Sequence, residues 1–181
     1  MEGYFANGRS YPANHFMIGS AAELIAGGLE RLPVPDFPAA RSLDFSLESL
    51  KKLDDYMLKL RENLPRVEDG HVDVDSDAFP LRTERQLADF VYMFGGYTGE
   101  VIRRVIKREL RWITLKDLMS EVPEAAEEIG DDRPLSMAYS LIDNTFESIF
   151  PLNRVIKFLV GPMKADFYSF AKELTEEEVE I

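Results

Sequence analysis

Leu135-Ser136-Met137-Ala138-Tyr139-Ser140-Leu141-Ile142-Asp143-Asn144-Thr145-Phe146-Glu147-Ser148-Ile149-Phe150 decides the fold class. Leu135, Met137, Tyr139 and Leu141 alternate with Ser136, Ala138 and Ser140, the period-two signature of a half-buried strand. Asp143-Asn144 supplies a two-residue turn, and Thr145 to Phe150 returns as the hairpin partner. Upstream, Trp112 to Lys116 reads as another strand. A small antiparallel sheet of about three strands is therefore expected in the second half of the chain.

Helical patterns lie on both sides of it. Ser46 can cap a helix near 46–64, whose stripe is Leu47, Leu50, Leu53, Met57, Leu60 and Leu64, and Pro65 stops it. Thr83 and Gln86 have capping-box spacing and open a helix near 83–108. Its stripe runs through Leu87, Phe90, Val91, Phe94, Thr98, Val101, Ile102 and Val105. Arg103, Arg104, Lys107 and Arg108 offset the negative helix end. Ser120 to Ile129 reads as a short helical piece. Pro151 and Gly161-Pro162 bracket a helix over Leu152 to Val160, and Phe167, Phe170, Ala171 and Leu174 mark a last one.

At the other end, residues 1–19 show no period and read as an irregular arm. Ser20 and Glu23 then cap a short helix over Ala21 to Leu32, before a stiff connection at Pro33, Pro35 and Pro38. Helices and strands segregated in this way indicate α+β rather than a doubly wound sheet. The expected organisation is an arm with a short helix over 1–42, a single α+β domain over 43–174 and an acidic tail over 175–181.

The chain has 181 residues, 45% of them hydrophobic and 30% charged, the balance of a domain that buries a real core. Without cysteine it has no disulfides, thiolate ligands or cysteine nucleophile, which suits a reducing cytoplasm. A net charge of −12 repels a polyphosphate backbone, so nucleic acid is not the expected partner and a basic protein is. The apolar stretch His15 to Leu32 is cut by Glu23 and Glu30 and lacks a basic leader, so neither export nor a membrane anchor is expected.

The most distinctive string is Gly95-Gly96-Tyr97-Thr98-Gly99-Glu100, inside the second long helix. Each glycine there costs roughly 1 kcal/mol relative to alanine, so something must offset them. On a helical wheel Gly95 and Gly99 flank the apolar stripe, and Gly96 lies on the far side beside Glu100. The pattern points to close packing on more than one side. It lacks the strand–loop–helix context and the lysine of a phosphate loop. Glu100 is at ion-pair spacing from Arg103 and Arg104, and it is also a candidate acid or base.

Asp73, Asp75 and Asp77, with Glu84 at the twelfth position, overlap a calcium-loop template. Ala78 stands where that template needs glycine, and Pro80 where it needs a branched apolar residue, so no metal is expected. His15 and His71 fall in expected loops, and no Gly-x-Ser-x-Gly elbow is present. No catalytic, cofactor-binding or metal-binding residue is assigned. Glu100, Asp73, Asp75 and Asp77 are the candidate interaction residues.

The run Phe94-Gly95-Gly96-Tyr97-Thr98-Gly99-Glu100-Val101-Ile102-Arg103-Arg104, then Trp112, then Phe150-Pro151-Leu152-Asn153-Arg154-Val155-Ile156-Lys157, resembles a group of uncharacterised bacterial domains. These share a Gly-x-Tyr-x-Gly-Glu-Val helix, a following tryptophan and a Phe-Pro-x-x-x-Val-x-Lys helix start. The resemblance spans roughly Leu43 to Phe170. It implies a bacterial origin and a helices-plus-sheet fold, and brings no activity with it.

Together these features lead to the expectation of a non-catalytic interaction module of the cytoplasm, one form of which is an immunity-like protein that neutralises a basic partner. The alternative is a small-molecule enzyme using carboxylates, with Glu100 and the Asp73 to Asp77 cluster as its acids and bases. A converging pocket around Glu100 separates the two.

Overall fold

Helix α3 (Glu84–Val105) is the axis of the molecule because its middle, apart from Thr98 and Glu100, is apolar or side-chain-free, so neighbours can cover its faces. Every residue from Met93 to Ile102 is buried. The capping box at its start is formed, with the Thr83 side chain accepting from the Gln86 N–H and the Gln86 side chain accepting from the Thr83 N–H. The structure is a computed structural model and describes residues 12–68, 70–122, 134–161 and 166–176.

In chain order the remaining elements are α1 (Pro12–Ile25), α2 (Leu50–Glu62), β1 (Arg111–Thr114), α4 (Leu115–Glu121), β2 (Tyr139–Ile142), β3 (Ser148–Ile149), α5 (Pro151–Val160) and α6 (Phe167–Glu176). This is an α+β fold in which α1, α2, α5 and α6 all contact α3 or one another around a common core. The three strands form one antiparallel sheet in the order β1-β2-β3. Its register places Trp112, Leu141 and Ile149 in one cross-strand row, which faces the main core.

Several local readings shift. The first helix begins at Pro12 rather than after Ser20, and its buried face includes Asn14 and Ser20 as well as Met17, Ala21 and Leu24. Residues 135–137 form a short 3-10 turn, so the second strand starts only at Tyr139. Ser140 is buried rather than solvent-facing, because Ile113, Leu115, Leu118 and Ile142 build a second apolar cluster on the far side of the sheet. The strand is covered on both faces, and the polar alternation does not mark water. The helical piece expected at 120–129 lies mostly outside the described residues, as do residues 1–11 of the arm and 177–181 of the tail. A helix, α4, instead occupies 115–121, with Thr114 capping it through the Asp117 N–H.

Helix α6 is held by a cap from another helix. Asp54 of α2 accepts hydrogen bonds from the backbone N–H groups of Phe167 (2.7 Å) and Tyr168 (3.1 Å). Burial pushes the Asp54 carboxyl up to about 6, the two N–H bonds oppose this, and the nearby charges of Asp166 and Asp55 add to the rise. A carboxyl with a raised folded-state pKa contributes most below its unfolded value, about 3.9, and its contribution is lost as pH rises through the folded value. Urea midpoints measured from pH 4 to pH 7 should therefore show a component that falls with pH in the wild type and is missing in Asp54→Asn. Identical slopes for the two chains would contradict this.

Candidate functional site

The three glycines of α3 are each occupied by a neighbour. A Cβ on Gly95 would lie 2.9 Å from Leu152 Cδ1, and one on Gly96 would lie 2.9 Å from the Met17 carbonyl oxygen. On Gly99 it would fall inside the Trp112 indole, with Pro151 Cγ 3.3 Å away. Thus α5 and Trp112 close on one side of α3 and α1 on the other. The glycine string is a packing surface, and no open cradle is left there.

The indole that rests on Gly99 brings a buried donor with it, since Trp112 is fully buried and its Nε1–H needs a partner. Glu100 supplies one: its Oε1 accepts from Trp112 Nε1 at 2.8 Å and from Arg103 Nη1 at 2.7 Å. Arg103 also donates from Nε to the Leu110 carbonyl at 3.0 Å. Glu100 is only 2% exposed. Arg104, the other spacing candidate, points elsewhere and lies 3.8 Å from the centre of the Phe45 ring. The Trp112 backbone N–H is satisfied from α1, by Asn14 Oδ1 at 2.8 Å. Glu100 is thus a sealed, neutralised acceptor that ties α3 to β1. A reactant would have to displace Trp112 to reach it.

The acidic loop is the opposite case. Val72, Phe79 and Leu81 are buried and pin the described residues of 66–82 to the core. Arg66 pairs with Val72 as an antiparallel bridge, Val67 N–H donates to the His71 carbonyl, and Asp73 N–H donates to the Pro65 carbonyl. Asp73 is half-buried and its Oδ1 accepts from the Asp75 N–H at 3.2 Å, while Ser76 Oγ accepts from the Ala78 N–H. Glu68, Asp75 and Asp77 are exposed. Val67 and Val74 are 43% and 47% exposed beside them. An open cleft of about 570 Å³ adjoins the loop between Pro33, Asp77, Phe79, Arg82 and Gln86, and Glu100 has no part in it.

Glu100 and the Asp73, Asp75 and Asp77 cluster are therefore not brought into one site. Among the described residues no three carboxylates or imidazoles are placed to share a metal ion, and no helix is long and apolar enough to cross a membrane. Sequence reasoning missed Asn14 and Asp54, both polar side chains that cap backbone groups of a distant element. The signal for Asn14 was the Pro12-Ala13-Asn14 start, with proline at the first helical position. Asp54 left none, because its partners lie more than a hundred residues away. No family model, no curated protein and no solved structure matches the chain.

Two variants check the buried cluster. Gly99→Ala should destabilise strongly, since the indole has to move and overpacking of this kind costs about 1–3 kcal/mol or more. Glu100→Gln removes the buried carboxylate charge that accepts from Trp112 and Arg103, weakens both charge-assisted hydrogen bonds, and should cost about 1–3 kcal/mol. Urea unfolding reads both, and a wild-type midpoint in either variant would show that the contact is not closed in solution.

Proposed function

We propose that the protein is a non-catalytic interaction module whose partner is a basic protein, met at the loop 66–82. The observation that carries this reading is the separation of the carboxylates. Glu100, best placed in sequence to serve as an acid or base, is sealed against Trp112 and Arg103. Asp75 and Asp77 stand in solvent on a loop whose backbone is held by its own hydrogen bonds. A loop already ordered loses little conformational entropy on binding, which favours it as a contact surface. The exposed valines add apolar area between the charges.

The chain's −12 charge supports the same assignment through long-range steering. Such steering acts on the association rate and is screened once the Debye length falls to about 10 Å. Neutralisation of a basic toxin-like protein is the specific form that an immunity role would take. A cytoplasmic location belongs to this proposal too, and rests on the absence of cysteine.

The test is affinity capture from an extract of the source organism, with Asp75→Lys/Asp77→Lys as the control, followed by rate measurements on the captured protein. A basic partner is expected, with association slowing steeply between low and physiological salt and falling about tenfold in the charge-reversed chain. An acidic partner, or an association rate indifferent to salt, would refute the reading.

A further inference from the structure

Among the described residues other than glycine, two have positive φ: Phe45 at 61° and Phe146 at 68°. In this left-handed region the Cβ crowds the following carbonyl, and a bulky residue there is an outlier. Phe45 is compensated within the fold. Its N–H donates to the Tyr97 hydroxyl at 2.9 Å, its ring stacks on Tyr97 with centroids 4.8 Å apart, and Arg104 covers it. Tyr97 in turn meets Ser49 Oγ at 2.6 Å. The strain at Phe45 is offset by a buried network.

Phe146 has no comparable return. Its side chain lies at the tip of the β2–β3 hairpin, is 50% exposed, and makes no ring or cation contact with the described residues. The backbone around it is nevertheless firmly fixed. Phe146 N–H donates to the Asp143 carbonyl and Asp143 N–H to the Glu147 carbonyl, each at 3.3 Å. Asp143 Oδ1 accepts from Thr145 N, Thr145 Oγ1 and Glu147 N at 2.8, 2.8 and 3.0 Å. Its Oδ2 accepts from Arg108 Nη1 at 2.9 Å. A tight turn followed by one left-handed residue is a standard hairpin connection, and its left-handed position is ordinarily glycine. Here the chain carries a large apolar ring instead, strained in the backbone and wet at the side chain.

We propose that Phe146 is a binding anchor, held out by the hairpin for insertion into an apolar pocket of the partner protein whose rim carries lysine or arginine. The inference rests on the basic partner proposed above. Glu147 beside the ring is exposed but already ion-paired with Arg108, so the rim chemistry follows from the chain's −12 charge. An aromatic ring on a pre-set backbone loses little entropy on docking and is well suited to dominate the dissociation rate.

The test has two parts. Thermal unfolding of Phe146→Asn and Phe146→Gly should show midpoints raised by about 2–4 °C, because both residues accept the left-handed region. An unchanged or lowered midpoint in both means that the ring serves the fold, and overturns the proposal. For binding, p-benzoylphenylalanine placed at position 146 is irradiated in an extract of the source organism, with the same probe at Leu58, 40% exposed on α2, as the control. A basic protein should cross-link from position 146 and not from position 58. That protein, purified, should leave Phe146→Asn at least about tenfold faster than wild type at an unchanged association rate. Equal dissociation rates overturn the anchor while the basic-partner reading stands. If wild type retains no basic protein, both fall together.

Discussion

A tryptophan lying on a glycine is the contact from which the rest of this structure follows. The Trp112 indole occupies the space that any side chain at position 99 would fill. Its ring nitrogen is then buried in an apolar interior, where a lone N–H donor costs as much as a lost hydrogen bond. Glu100, one residue further along the helix, provides the acceptor, and its charge in turn requires Arg103. Asn14 holds the Trp112 backbone from the other side and so fixes α1 against the first strand. Each group is present because the previous one would otherwise be unsatisfied. The chain of partners links α1, α3 and β1 before any of the surrounding apolar packing is considered.

This network also settles what the glycines of α3 are for. Their cost in helix propensity is offset by approach distances that no alanine would allow, to Leu152 at one position and to the Met17 carbonyl at another. A helix with neighbours on both sides has no cradle left for a ligand. The exposed loops carry carboxylates, two valines and a phenylalanine with positive φ.

The parts legible in the sequence were those with local causes. The Thr83 capping box and the α2 stripe depend on residues a few positions apart and are found where the spacing places them. The i+3 pairing of Glu100 with Arg103 belongs with them. The hairpin also turns at Asp143, but its connection runs over 143–147 rather than two residues, because Asp143 gathers the Thr145 and Glu147 N–H groups, and the return strand is only Ser148–Ile149. The start of α1 was hidden because two polar residues, Asn14 and Ser20, sit on its buried face and blur the period. The second strand was read too long because alternation was taken for one wet face, whereas α4 covers that side. The burial of Glu100 and the Asp54 cap are products of tertiary contact alone. For the candidate site, the sequence showed the carboxylates of the acidic loop and Glu100 as separate strings and could not say that Asp75 and Asp77 are exposed while Glu100 is sealed.

Trp112 is the only tryptophan, so its fluorescence reports on the central contact without any substitution. Iodide and acrylamide quenching of the native protein, compared with the urea-unfolded chain, measures directly whether the indole is sealed over Gly99. An indole sealed over Gly99 gives a blue-shifted native emission that iodide barely quenches, with full accessibility appearing only on unfolding. Native emission quenched as readily as that of the unfolded chain would mean that the indole is open to water, and that Glu100 is not the sealed acceptor described here.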